Sequence, residues 1–292
     1  MSARLLDGRA LADVIQKRLR EETTSLYARG VTPGLATVLV GGNPASATYI
    51  AMKHAACAAV GIRSVHHHLP ETTSQLELEH ILQALNHDIN VDAILVQLPL
   101  PKQLNEEATL RAIDPDKDAD GLHPINLGRL VMGAPGPLPC TPAGIHTLLV
   151  HYGVAIEGRH VVIVGRGLTI GRPVALLLAM KRPHCNAAVT VVHTGVPDLG
   201  VYTRQADILI AAAGTAGLIT PDMVKRGAAV VGAGVTRKGK TILSDVADSV
   251  SEVAGWITPR VGGVGPMTVA MLLQNTVLAA RQRVATGGLQ LT

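Results

Sequence analysis

Apolar residues recur along this chain in two alternating rhythms. Leu11, Val14, Ile15, Leu19 and Leu26 keep helical spacing within residues 7–29, ahead of Gly30, and predict an amphipathic first helix. Residues 35–40 form an apolar run closed by Gly41-Gly42-Asn43-Pro44, the pattern of a buried strand. An Ala-rich stretch, 46–60, predicts a helix stopped by Gly61, and 62–69 predicts a second strand. Ser74 with Glu77 reads as a capping box for the helix that carries Leu78, Ile81, Leu82 and Leu85. Ala93–Val96 is a short buried strand, ended by the prolines of Gln97-Leu98-Pro99-Leu100-Pro101, and a short helix is predicted over Glu106–Ala112. Thr141 as N-cap and Pro142 as first residue predict a helix to Tyr152 that links to the second half of the chain.

The second half repeats the alternation. Val161, Val162, Ile163 and Val164 make a β-branched run typical of a strand buried on both faces. Gly165-Arg166-Gly167 follows, then Gly171, and Pro173 opens an apolar helix. Further strands are predicted at 188–192, 207–211 and 228–231, a flexible loop at 261–266 and a closing helix over 267–283. Strands separated by helices predict an α/β protein with a parallel, doubly wound sheet.

Composition narrows the class. The 292 residues suffice for one large or two medium domains, and with no Phe the core is built from Leu, Val, Ile and Ala. A net charge of +4, without a basic run or aromatics to stack bases, argues against nucleic-acid binding. Cys57, Cys140 and Cys185 have no spacing for a disulfide framework or a zinc site. Charge arrives too early for a signal peptide, and no apolar run reaches the ~20 residues of a membrane span, so the cytoplasm is expected. His66-His67-His68 lies on a predicted strand, where neighbours face opposite ways, and is read as structural. The acidic stretch 114–124 lacks the late Glu of a calcium loop, and no metal is expected.

The candidate chemistry falls in two places. A strand, a glycine turn and a helix start form a phosphate cradle of free N–H groups. Gly165, Arg166, Gly167, Thr169, Ile170 and Gly171 belong to it, with His193, Thr194, Thr215 and Val235 as further cofactor candidates after the later strands. In NAD-binding folds an acid ends the second strand, yet here 188–192 is followed by His193-Thr194-Gly195. That absence, with Arg166 in the loop, favours the 2′-phosphate of NADP. Earlier, Tyr49 and Lys53 stand four apart on one helix face, and Lys53 is the lone lysine between Lys17 and Lys102. On a mostly apolar helix such a lysine is a candidate proton shuttle. A short-chain dehydrogenase would also carry Tyr-x-x-x-Lys, but after its nucleotide loop, so the order excludes that class.

Taken together, these motifs resemble the bifunctional methylenetetrahydrofolate dehydrogenase/methenyltetrahydrofolate cyclohydrolase family over essentially the whole chain. The residues concerned are 46–53, 96–101, 117–121, 141–144, Gly165-Arg166 with Gly171-Arg172-Pro173, and 262–268. The resemblance implies two domains flanking a cleft. A folate-binding α/β domain (1–145 plus 268–292) would be completed by the last helix, and a Rossmann-like domain (146–267) would bind NADP. It implies Lys53, Tyr49, Gln97 and Asp120 as catalytic residues, with Ser46, Leu98, Pro99, Gly262, Gly263 and Pro266 also lining the folate. It also implies a homodimer, tetrahydrofolate derivatives as ligands and a place in purine biosynthesis. Gly167 replaces a usual Ser, Arg260-Val261 stands where Pro usually precedes Gly262, and Gly232-Ala233-Gly234 replaces a usual Asp-Val-Gly. A monofunctional dehydrogenase of another small substrate, or a non-catalytic NADP sensor, remains as an alternative on the residues alone.

Overall fold

The structure, a computed structural model, describes residues 3–239 and 241–287. In chain order the first half carries β1 (Arg4–Leu5), α1 (Gly8–Tyr27), β2 (Gly34–Val40), α2 (Pro44–Val60), β3 (Arg63–Leu69), α3 (Gln75–His87) and β4 (Ala93–Val96). Then come α4 (Glu106–Ala112), α5 (Pro124–Met132), α6 (Cys140–His151), β5 (His160–Val164), α7 (Gly171–Ala179) and β6 (Ala188–Val192). The remainder is α8 (Gly200–Thr203), β7 (Ile208–Ala211), β8 (Ala229–Gly232), β9 (Val235–Lys238), β10 (Thr241–Ser244), β11 (Trp256–Ile257) and α9 (Val264–Gly287). These elements gather into two compact units, one formed by the segment through Ala12 with 139–268, the other by 13–138 with the chain from Val269 onward.

The first unit is built on a six-stranded sheet in the order β1-β11-β8-β7-β5-β6, every pairing parallel. Val161 to Val164 are fully buried, as are Leu209 and Ile210 of β7, as expected for central strands covered on both faces. Val162, Val164, Leu209, Val230, Ile219 and Val250 pack into one cluster of this core. Four strands lie outside the sequence reading, β1 with β11 as one addition and β9 with β10 as another. β1 is only two residues long and pairs with β11, Arg4 opposite Trp256, with the Arg4 guanidinium 5.2 Å from the indole ring centre. The second addition is the antiparallel β9–β10 hairpin.

The other unit holds a parallel sheet in the order β3-β2-β4. β2 is its central strand and is buried throughout. Ala36, Val38 and Val40 pack with Leu78 and Leu82 of α3 and with Ile94 and Val96 of β4. The capping box is formed: the Ser74 hydroxyl accepts from the Glu77 N–H at 3.3 Å, and Glu77 Oε2 accepts from the Ser74 N–H at 2.8 Å. Arg283, near the end of α9, reaches Asp92 with a two-pronged contact of 2.7 and 3.3 Å, and Asp92 also accepts the Gly34 N–H. The strand histidines take separate partners. His66 Nδ1 lies 3.0 Å from the Thr37 hydroxyl and His68 Nε2 lies 2.9 Å from the Gly41 carbonyl. His54 of α2 joins the first of these, with Nε2 2.9 Å from Thr37 Oγ1 and Nδ1 2.6 Å from Ser64 Oγ.

Two expectations are corrected. Thr141 does not cap its helix, because α6 begins at Cys140, two residues before Pro142, and follows Pro139 without a side-chain cap. The Thr141 hydroxyl instead bonds that of Thr268 at 2.9 Å. The loop expected over 261–266 ends early, since α9 starts at Val264. Pro266 falls in the first helical turn, where an N–H has no intrahelical partner and proline costs nothing.

Candidate functional site

Lys53 lies on the buried side of α2, only 5% exposed, an unusual place for an ammonium. Its Nζ donates to Gln97 Oε1 at 3.0 Å. Gln97 follows β4 directly, and its N–H donates to the Val38 carbonyl at 2.9 Å. Its amide nitrogen donates to the Leu98 carbonyl at 2.8 Å, so the amide oxygen is turned to the lysine. The Leu98–Pro99 bond is cis, Leu98 is half-buried and Pro99 exposed. Tyr49, half-buried, precedes Lys53 by one turn, and Ser46 is buried in the first turn, its N–H directed to Asn43 Oδ1 at 3.3 Å. One turn after Lys53, burial pushes the Cys57 thiol up to about 12 against the opposing pull of the Lys53 charge. The structure thus brings Lys53 and Gln97 together at the carboxyl end of a parallel strand, where open α/β sheets bind their ligands.

Asp120 lies half-buried in the loop after α4. The loop is shaped by Asp118, a residue the sequence reading passed over. Asp118 is 3% exposed and accepts the Gly121 N–H (3.0 Å), the His123 N–H (2.7 Å) and the Asn126 amide (2.9 Å). These bonds bend the chain at Gly121 (φ +70°) and feed it into α5. The main chain at Lys117 and Ala119 also bonds Ile94, so the loop runs as a short extension beside β4. An Asp three residues before a Gly, then His-Pro, was the available signal for a turn feeding a helix.

In the other unit, the predicted cofactor residues lie at the carboxyl ends of β5 to β8. Gly165 (φ +128°) is buried, and a Cβ there would meet the Ala212 carbonyl oxygen at 2.2 Å. A Cβ on Gly171 would meet the Gly165 oxygen at the same 2.2 Å. Bare backbone therefore fills the turn into α7, the close approach a dinucleotide phosphate requires. Arg166, Gly167 and Thr169 are exposed around this turn and Ile170 is half-buried. His193, half-buried, and exposed Thr194 follow β6 with no carboxylate, and Thr215 and Val235 are exposed beyond β7 and β8. This donor set fits a dinucleotide with a 2′-phosphate. Gly262 (φ +89°) accepts the Arg9 N–H at 2.8 Å, Gly263 is buried and Pro266 half-buried. Arg260, unexpected beside the resemblance, lies 3.6 Å from Asp248. Gly232 has a local reason, because a Cβ there would meet the Ser244 hydroxyl at 2.6 Å.

Comparison with known proteins identifies the two domains. Residues 6–120 match the tetrahydrofolate dehydrogenase/cyclohydrolase catalytic domain, and residues 139–284 match the NAD(P)-binding domain of the same family. The chain is 51% identical to the bifunctional protein FolD of Syntrophotalea carbinolica, over 99% of each chain. The crystal structure of the bifunctional FolD enzyme from Campylobacter jejuni superposes with a TM-score of 0.93 at 46% identity, covering 97% of this chain and 100% of that one. The Trypanosoma brucei FolD, solved with NADP and an inhibitor, superposes with a TM-score of 0.92 at 41% identity, covering 97% and 99%. With both of its domains matched in order and its full length shared with these relatives, the chain belongs to the tetrahydrofolate dehydrogenase/cyclohydrolase family.

Proposed function

We propose that this protein oxidises 5,10-methylenetetrahydrofolate to the 5,10-methenyl form with NADP, and hydrolyses that product to 10-formyltetrahydrofolate. The buried contact of 3.0 Å between Lys53 Nζ and Gln97 Oε1 carries the reading. It gives the chain a held, proton-bearing group, which a dehydrogenase of this kind does not need and a cyclohydrolase does.

NADP, when bound, supplies the hydride acceptor. The methylene carbon lies between two nitrogens, so loss of hydride leaves a cation they already stabilise, and position matters more than acid or base. The protein's part in that step is to orient both ligands, and Gly165, Gly171 and Arg166 support the reading of where NADP is held. Hydrolysis adds water to the methenyl carbon, which releases a proton, and reopening of the ring returns a proton to the departing nitrogen. Lys53, fixed by Gln97, is the group assigned to these transfers, with Tyr49 lying along the folate. Asp120 is assigned to the pterin, whose donor edge suits a carboxylate. Gly262 and Gly263, with Ser46, Leu98, Pro99 and Pro266, are assigned to the surrounding folate surface. The family resemblance further supports a cytoplasmic homodimer that feeds purine synthesis.

The deciding experiment mixes the purified protein with methylenetetrahydrofolate and NADP and follows NADPH and methenyltetrahydrofolate by absorbance. Both NADPH formation and decay of added methenyltetrahydrofolate above the uncatalysed rate are expected. NADPH without accelerated decay would leave a monofunctional dehydrogenase, and NADP binding without turnover would leave a sensor.

A further inference from the structure

Asp245 follows β10 and is fully buried, yet no assigned role involves it. One carboxylate oxygen, Oδ2, accepts two consecutive backbone N–H groups, from Ala213 at 2.6 Å and from Gly214 at 2.9 Å. The residue's own N–H donates to the Gly234 carbonyl at 3.1 Å. Ala233 and Gly234 in turn donate to the Ala211 carbonyl at 2.8 and 2.9 Å, and Thr236 Oγ1 donates to the Gly214 carbonyl at 3.0 Å. Asp245 therefore stands between the turn leaving β7 and the turn leaving β8, bonded to both. The fit leaves no slack, because a Cβ on Gly234 would lie 2.0 Å from Oδ2. The other oxygen, Oδ1, is buried with no hydrogen-bond partner among the described residues.

A buried carboxylate oxygen without a partner is costly and calls for an explanation, which the bonds of its twin oxygen supply. Here the undivided demand falls on Oδ2, whose two N–H bonds are charge-assisted and short. Those bonds fix the backbone one residue before Thr215, while the main-chain bond fixes it one residue before Val235. Both turns lie at the carboxyl ends of adjacent parallel strands, the edge that binds dinucleotides.

We infer that Asp245 is a positioning residue for NADP, its carboxylate setting the 213–215 and 233–235 turns against each other before the cofactor arrives. The inference rests on the proposed function through the assignment of Thr215 and Val235 to the cofactor. Asp245→Asn keeps the shape and one acceptor oxygen, but removes the charge and aims an NH₂ group into a place with no acceptor. The folded variant is expected to bind NADP roughly tenfold more weakly by calorimetry, with folate affinity unmoved. Amide exchange at Ala213 and Gly214 in the cofactor-free protein is expected to quicken, and KM for NADP to rise more than kcat falls. Should Asp245→Asn fail to fold, Gly234→Ala presses a methyl against Oδ2 from the opposite side, and the same weakening is expected. NADP affinity at the parent value in a folded variant overturns this inference alone. A parent protein that binds no NADP overturns the proposed function and this inference with it.

Discussion

The ammonium of Lys53 separates the two proposed reactions, whereas the carboxylate of Asp120 serves both. Lys53→Met keeps the stem and removes the proton carrier, so cyclohydrolase activity is expected to fall by ~10²–10⁴, the range of a lost general acid–base. Hydride transfer should survive in part, and methenyltetrahydrofolate should accumulate in its own absorbance band. Gln97→Ala, which frees the ammonium, should give a milder form of the same split; a Lys53→Met enzyme hydrolysing at the parent rate would remove the assignment. Asp120→Asn puts a donor where a carboxylate would face pterin donors, and folate affinity is expected to drop by ~1–3 kcal/mol in calorimetry, taking both activities down together. Arg166→Ala should narrow a preference for NADP over NAD, read from kcat/KM with each. Lys53 was legible because it follows Tyr49 at helical spacing, and Gln97 because prolines end the strand behind it. Asp118 was legible only as a turn former, since its spacing to Gly121 marks a bend without telling that the carboxylate is buried.

At the level of elements, α2 and β3 share a titratable seam beside the one that holds Lys53. Burial holds His54 and His66 below the ordinary imidazole value of 6.5; repulsion from His66 adds to it at His54, while at His66 a hydrogen bond with Thr37 opposes it and repulsion from His68 and His67 adds to it. The folded protein therefore takes up these protons later than the unfolded chain does, and stability must decline as pH falls through 6.5 toward the lowered values. Thermal melts from about pH 7.5 down to about 5 should show that decline, and His66→Gln should flatten it. A parent-like slope in His66→Gln would place the acid sensitivity elsewhere. Elements with their own local signals, such as α4 and the Ser74 cap, were legible. The two-residue β1 was not, because it exists only through β11, far away in sequence. The β9–β10 hairpin escaped for a related reason, since its Thr, Arg and Lys positions break the apolar rhythm.

For the whole molecule, neither unit is a continuous stretch of chain, and each depends on a segment from the far end of the sequence. The pairing of Arg283 with Asp92 shows this at the carboxyl end, where the Asp92 side chain is 1% exposed and that of Arg283 32%. Arg283→Met would leave Asp92 short of a cation, and urea unfolding should show a loss of about 2 kcal/mol, below the usual cost of breaking a fully buried pair because Arg283 is partly in water. An unchanged midpoint would mean that this pair adds nothing to the hold on α9. Such long-range dependence is what periodicity cannot express, and it explains why the strand and helix pattern was readable while the segment through Ala12 gave no sign of its place.

Trp256, held in β11 beneath Arg4, is the chain's single tryptophan. Light at 295 nm therefore excites one site, in the unit with the six-stranded sheet, and leaves the other unit dark. Fluorescence then reports the melting of one half of the molecule, whereas circular dichroism averages over both. Superimposable curves from the two methods would mark a single cooperative transition, and a gap between them would measure how far each half stands on its own.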